Sequence, residues 1–322
     1  MTTPLLEIEN LNVQLAAGKA ARPILDGVSL HVAQGETVGL VGESGSGKSV
    51  TCRSVLGLFP EGAQTCGSLR LDGNDVLTMS PARLRELRRR DVSMVFQDPR
   101  ASINPLRRIG DFVTEGMRAG GVSQKDALKR AGELLESVGI RDPRAALRRY
   151  PHEFSGGMLQ RVMIAGALAG EPRLLLADEP TTALDVTTQA EVVSILTDLR
   201  TERAMGMLFV THDLELAAAI CDRVYVMYAG RIVETQSADG LFGRPRHPYT
   251  VALLASTPRL DSDQPPRSVP GRPVSLAETS PGCAFAVRCA HARPRCAEHV
   301  PVQREIDGAH VACLRVEELI ND

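Results

Sequence analysis

Tryptophan is absent from the 322-residue chain and aromatic residues make up only 3% of it. With so few flat rings on which bases could stack, a platform for single-stranded nucleic acid is excluded. An excess of charge of one sign is missing too. The 37 Lys and Arg stand against 39 Asp and Glu, so no basic field exists to hold a phosphate backbone by counterion release, and no nucleic-acid partner is expected. Uncharged apolar stretches such as Met205–Val210 and Leu216–Ile220 fall far short of the roughly 20 residues that cross a bilayer. The opening residues, MTTPLLEIEN, lack a basic region followed by an apolar core, so no secretory signal is expected and the cytoplasm is the expected compartment.

What is present is a globular balance, 43% apolar and 24% charged, with enough chain for a sizeable core. At about 150 residues per domain, the length suggests two units or one large domain with an appendage. Leu5–Glu9 and Gly35–Val41 read as strands, the second ending in a glycine-rich turn before a helix from Gly47 to about Leu58. Leu84 and Leu87, among arginines, predict a short basic helix, and VSMVFQDP from Val92 a strand running into a loop. Leu128, Ala131, Leu134, Leu135 and Val138 recur at helical spacing, with Gly139 as the stop. A further helix is expected over Met158–Ala169. LLLAD from Leu174 and MLFVT from Met207 are all-apolar runs of the kind found in buried parallel strands, with a helix between them marked by Val192, Ile195, Leu196 and Leu199. Strands alternating with helices imply an α/β sheet with its ligand at the carboxyl ends of the strands. From Thr257 the text turns rich in Pro, Asp, Ser and Arg and reads as a linker.

The run Gly42-Glu43-Ser44-Gly45-Ser46-Gly47-Lys48-Ser49 matches G-x-x-x-x-G-K-[ST] between a strand and a helix. Its glycines let backbone N–H groups turn inward around phosphate oxygens, aided by the positive end of the following helix. Lys48 is expected to reach the β- and γ-phosphates, and Ser49 to ligate Mg²⁺; Val50 follows as the last candidate contact. In LLLADEP, Asp178 leaves the end of a buried strand where it can hold Mg²⁺, and Glu179 is placed to orient or deprotonate water. The alternative is a helix cap followed by a first-turn acid, which suits Pro180. The phosphate loop favours the catalytic reading.

Seven cysteines are unevenly placed. Cys52, Cys66 and Cys221 are scattered and expected to be packing thiols. Cys283, Cys289, Cys296 and Cys313 share the last 40 residues, with intervals of five, six and sixteen residues between them. In a cytosolic chain such a group argues for metal before disulfide, although the C-x₂-C pair typical of zinc ribbons is missing. Four thiolates can hold an iron–sulfur cluster without the spacing demanding it.

Gly42–Ser49, Gln97, FSGGM at 154–158, LLLADEP, Ala183-Leu184-Asp185 and His212 stand in an order that resembles the ATP-binding cassette (ABC) ATPases, over residues 5 to about 255. FQDPRASINPLRRIGD from Phe96 and RHPYTVALLASTP from Arg246 resemble the oligopeptide/dipeptide importer branch, which includes nickel importers. The resemblance implies a P-loop ATPase core with a helical signature subdomain at about 98–170 and an antiparallel β part, together spanning residues 1–256, and a small cysteine-containing extension at 257–322. It implies ATP and Mg²⁺ as ligands, with Gln97 linking the γ-phosphate and metal to the helical subdomain. Ser155, Gly156 and Gly157 would meet the γ-phosphate of ATP held by a partner subunit, although a lone SGG is a common turn. His212 would contact the γ-phosphate, against the plainer possibility of a capping or surface histidine. Asp185 would lie at the dimer interface. Leu15 stands where the family often stacks an aromatic ring on adenine, and Met158 replaces the glutamine that ends the signature. The tail resembles that of dipeptide-importer ATPases with a 4Fe-4S cluster, which implies the four clustered cysteines as its ligands. The implied partners are two transmembrane permease subunits, a second and paralogous ATPase subunit, and indirectly an extracytoplasmic solute-binding protein. The implied location is the cytoplasmic face of the membrane. A soluble ABC-type ATPase with a mechanical role is the alternative; a single set of motifs and the short interval between Ser49 and Asp178 argue against it.

Overall fold

The computed structural model describes residues 4–17, 20–182, 184–257, 267–279 and 281–320. Ala183 and residues 258–266 of the expected linker lie outside the described residues. The chain forms two compact units, one built from residues 1–32, 36–78 and 209–322 and the other from 33–35 and 79–208.

The first unit begins with β1 (Leu6–Ala17), β2 (Ala20–Val32), β3 (Thr37–Val41), α1 (Lys48–Val55), β4 (Ala63–Leu71) and β5 (Asn74–Asp75). β1 pairs antiparallel with β2 on one side and β4 on the other, and β4 with β5. The strand expected at Leu5–Glu9 in fact continues to Ala17. Its buried positions are Leu6 and Ile8, then Leu11 and Val13. A bulge between Ile8 and Leu11, with Asn10 at φ 49°, shifts the alternation by one residue. The strand survives the shift, but a strict period of two does not.

The second unit contains α2 (Pro81–Arg90), β6 (Val92–Val95), α3 (Pro99–Ser102), α4 (Ile109–Ala119), α5 (Gln124–Ser137), α6 (Pro143–Ala146), α7 (Gly156–Leu168), β7 (Leu174–Asp178) and α8 (Val186–Arg203). β6 and β7 pair in parallel, and every residue of β7 is buried. Helix α5 is capped by Ser123, whose Oγ accepts from Asp126 N–H at 3.2 Å. It buries Ala127, Ala131, Leu134 and Leu135, whereas Leu128, expected on that face, is 36% exposed. The apolar face thus starts one residue earlier than expected, because an alanine shows less contrast than a leucine in a hydrophobicity pattern.

β8 (Gly206–Thr211) returns the chain to the first unit, which continues with α9 (Leu214–Ile220), β9 (Arg223–Tyr228), β10 (Arg231–Ser237), α10 (Ala238–Gly243) and α11 (Pro248–Ala255). Its last elements are α12 (Pro294–Glu298), β11 (Arg304–Ile306), β12 (Ala309–Val311) and α13 (Val316–Ile320). β3 and β9 pair in parallel, while β10, β12 and β11 add antiparallel in turn. Two strands of the tail therefore extend a sheet of this unit. Ala309, Val311 and Val316 are fully buried, with Ile306, Cys313 and Ile320 packed against them.

Where β10 meets α11, the carboxylate of Glu234 is buried and accepts from Arg246 N–H at 2.7 Å, His247 N–H at 2.9 Å and the Gln236 amide at 2.9 Å. His247 caps α11, its Nδ1 accepting from Tyr249 N–H at 3.0 Å. Burial pushes the imidazole down to about 4, so the folded chain keeps it neutral. Because this lies below the ordinary histidine value of about 6.5, the stability contributed by neutral His247 is complete above pH ~6.5 and is lost as pH falls toward 4. Burial raises Glu234, whose titration acts in the opposite sense. Comparison with His247→Asn, which retains a cap, isolates the histidine. From pH 6.5 to 4.5 the wild type should lose about 2 kcal/mol more stability than this variant in urea denaturation; equal losses would contradict the assignment.

Candidate functional site

In the first unit, strand β3 is buried along its whole length and delivers the chain into the phosphate loop. Gly42 adopts φ 152° and lies so close to β9 that a Cβ would stand 2.2 Å from the Met227 carbonyl oxygen. At Gly47, φ 109°, a Cβ would meet Leu25 Cδ2 at 2.7 Å. These two glycines let the loop press against β9 and β2 while its backbone turns into α1. Gly47, with no side chain to cap α1, opens the helix at the end of the loop, and a helix N-terminus there suits an anion. Ser44 and Gly45 are exposed, Ser46 is buried, and Ser46 Oγ has no hydrogen-bond partner among the described residues. A buried hydroxyl without a partner, beside a glycine cradle, suits a phosphate oxygen.

Lys48 is 4% exposed, and its Nζ donates to the carbonyls of Gly42 at 2.7 Å and Glu43 at 3.0 Å. The ammonium is thus held across the mouth of its own loop. Ser49 and Val50 follow in α1, half-buried. Glu43 N–H donates to the Tyr249 hydroxyl at 2.9 Å, a brace that no local motif announces. His212 is exposed just after β8; Asp213, not His212, caps α9, accepting from Leu216 N–H at 3.0 Å. Leu15 is half-buried in β1, opposite Arg22 and Ala63.

In the second unit, Asp178 is 1% exposed at the end of β7. Glu179 next to it takes φ 47°, an uncommon conformation for a residue with a side chain. Its Oε2 accepts from the Gln97 amide at 3.0 Å and from Thr182 Oγ1 at 2.9 Å. The structure therefore joins two residues 82 positions apart, the glutamine after β6 and the acid after β7. The helix-capping alternative for Asp178-Glu179 fails, since α8 begins only at Val186 and Asp185 is its cap. Asp185 accepts from Thr188 N–H at 3.0 Å and Thr188 Oγ1 at 2.8 Å, bonds that hold its carboxyl below the usual range.

Ser155 caps α7, its Oγ accepting from Met158 N–H at 3.3 Å. A Cβ on Gly157 would lie 2.5 Å from Thr188 Cγ2, so this glycine permits the close approach of α7 and α8. Ser155, Gly156 and Gly157 line an open depression of about 660 Å³, with Arg141 and Arg161 on its wall.

The four clustered cysteines converge in the first unit: Cys283, Cys289, Cys296 and Cys313 line one small cavity beside His247, Phe285 and His291. Burial pushes the Cys283 thiol up to about 11 and raises Cys289 and Cys313 as well. Among the described residues no group of three or more His, Cys, Asp or Glu side chains is arranged to hold a metal ion. The four thiols share one cavity, but the expected metal site is not formed among the described residues, and burial favours the protonated form of Cys283, Cys289 and Cys313. Of the scattered thiols, Cys52 and Cys221 are buried, whereas Cys66 is exposed in β4 and does not pack.

Residues 25–182 match the ABC transporter family, and residues 233–296 match the oligopeptide/dipeptide transporter C-terminal region. Over 98% of this chain and 96% of its own length, a Sinorhizobium fredii protein named "Probable peptide ABC transporter ATP-binding protein y4tR" is 45% identical. The oligopeptide transport ATP-binding protein OppD of Bacillus subtilis is 43% identical over 96% of this chain and 87% of its own. Among solved structures, a dimeric ATP-binding cassette bound to ADP and Pi superposes with a TM-score of 0.65 at 28% identity, covering 72% of this chain and 98% of that one. The cbiO1 subunit of Clostridium perfringens, part of the cbiONQ transporter complex, gives 0.65 at 27% identity over 76% of this chain and 92% of its own. The fold and the phosphate loop define an ATPase of the ATP-binding cassette class. Within that class the chain belongs to the oligopeptide/dipeptide transporter ATP-binding subunits and is OppD-like.

The space at Gly42 yields a test. Gly42→Ala places a methyl against a backbone carbonyl that cannot swing aside, and should cost about 2–3 kcal/mol in urea denaturation together with weakened ATP binding. Wild-type values for both would show that the loop can relax.

Proposed function

We propose that the chain hydrolyses ATP to drive import of peptides or a related solute, as a peripheral subunit at the cytoplasmic face of the membrane. It works with two permease subunits and a second, paralogous ATPase subunit, and an extracytoplasmic solute-binding protein supplies the solute. The ATPase part is carried by one observation above the others, the phosphate loop with its unpartnered Ser46 hydroxyl and glycine cradle. Support for the peptide class comes from the match at 233–296 and from the peptide-transporting names of the relatives. No helix among the described residues is long and apolar enough to cross a membrane.

In this reading residues 1–256 form the nucleotide-binding domain, with a helical subdomain at about 98–170, and 257–322 an extension. Backbone N–H groups from Gly42 to Ser49 and the Lys48 ammonium bind the phosphates, Lys48 exchanging its two carbonyl contacts for phosphate oxygens. Ser49, Gln97 and Asp178 would hold Mg²⁺, which when bound neutralises charge on the β- and γ-phosphates. Glu179 orients the attacking water and takes its proton; Gln97 holds that carboxylate in place and releases it when nucleotide arrives. His212 contacts the γ-phosphate, and Ser155, Gly156 and Gly157 offer the N-terminus of α7 to the nucleotide of the partner subunit. The four cysteines would hold a 4Fe-4S cluster, and their convergence on one cavity is what supports it.

Glu179→Gln should retain ATP binding and lose at least about 100-fold in steady-state turnover of the assembled complex. Near-wild-type hydrolysis would remove Glu179 from the general-base role. Protein purified without oxygen should be brown and contain iron and acid-labile sulfide; a colourless sample lacking both would eliminate the cluster.

A further inference from the structure

We propose that Arg288, carried by the cysteine segment, is a positioning residue of the nucleotide site that cancels the charge of Glu43 and thereby sets how well the phosphate loop receives a triphosphate. The inference rests on the reading of that loop as an ATP site. Arg288 and Glu43 belong to the same compact unit, and their contact is a parallel fork: Nη1 to Oε2 at 2.6 Å and Nη2 to Oε1 at 3.0 Å. The arginine side chain is 3% exposed and the glutamate side chain 19%.

The guanidinium is oriented by partners other than Glu43. Its Nε donates to the Pro270 carbonyl at 2.6 Å, Nη1 reaches the Tyr228 hydroxyl at 3.3 Å, and the group lies 5.7 Å from the Tyr228 ring centre and 5.9 Å from that of Phe285. Phe285 in turn packs edge-on against Tyr228 at 5.3 Å and tilted against Tyr249 at 5.3 Å. Tyr249 is the residue whose hydroxyl accepts from Glu43 N–H. One aromatic wedge thus fixes both the main chain and the side chain of the second residue of the loop.

The fork matters to the electrostatics of the loop. A loop that gathers polyphosphate through N–H dipoles and one lysine is opposed by a carboxylate within it. Half-buried charges at such range are poorly screened by salt. A bidentate arginine removes the repulsion and holds the carboxylate away from the anion. Lys48 bonds Glu43 through its carbonyl oxygen, at 3.0 Å. The pairing also crosses the two matched segments, Glu43 falling in the cassette match at 25–182 and Arg288 in the C-terminal match at 233–296. Part of what tunes the ATP site is therefore supplied by the tail.

Equilibrium ATP binding to the full chain, with thermal midpoints measured alongside, tests this. Arg288→Met leaves Glu43 unmatched and should weaken ATP binding roughly tenfold. Glu43→Gln leaves an unmatched guanidinium beside the loop and should tighten it about threefold. The double variant should return to within about twofold of wild type, even if its thermal midpoint stays low. A purely structural Arg288 predicts neither the tightening nor the rescue. Arg288→Met binding like wild type, a double variant as weak as Arg288→Met, or Glu43→Gln that fails to tighten each overturns the proposal. If Arg288→Met does not fold, Glu43→Gln alone decides. Wild-type protein that binds no ATP overturns the ATP reading and this inference with it, whereas a wild type that binds beside variants that misbehave overturns the inference alone.

Discussion

The approach of Gly42 to the Met227 carbonyl is the constraint on which the nucleotide-binding geometry of the first unit depends. A loop that must present N–H groups to an anion cannot also satisfy those groups by ordinary secondary structure, so it has to be held by packing. Here a fully buried strand ends one residue before the turn, and that residue sits against β9 with no room for a single extra carbon. Everything after it, from the buried Ser46 to the start of α1, inherits its position from that contact. The lysine then closes the loop from within by bonding two of its carbonyls.

The tail completes this arrangement instead of decorating it. Strands β12 and β11 extend a sheet of the first unit, and the segment between Cys283 and Cys289 supplies both the aromatic wedge and the arginine that reach the phosphate loop. The four-thiol cavity and the nucleotide loop share Phe285 as a wall and a brace respectively.

Much of this was legible from residues alone, and the exceptions have physical causes. The phosphate loop, the buried runs at β3, β7 and β8, and the helices α5, α7 and α8 announce themselves because their signals are local. β1 was cut short because a bulge breaks the period on which strand recognition depends, and Leu128 misled because a leucine outweighs the alanine beside it. The role of Glu179 could be argued from its position after β7, but its bond to Gln97 depends on how β6 and β7 pair. The bracing contacts of Tyr249 and Arg288 had no local sequence signal: each depends on a partner more than 200 positions away. Cys66 had a signal that pointed wrongly, since a thiol is a common core residue but this one lies in the exposed stretch of β4.

The ion pair between Glu43 and Arg288 spans 245 residues, and that separation orders events during synthesis. At roughly 5–20 residues per second, the ribosome makes the phosphate loop on the order of 10 to 50 seconds before the arginine that completes it. The first unit is interrupted by the second and cannot close until the last third of the chain has emerged. A nascent or truncated chain thus carries an unfinished nucleotide loop with an uncompensated carboxylate, and full affinity for ATP becomes a property that only the finished polypeptide acquires.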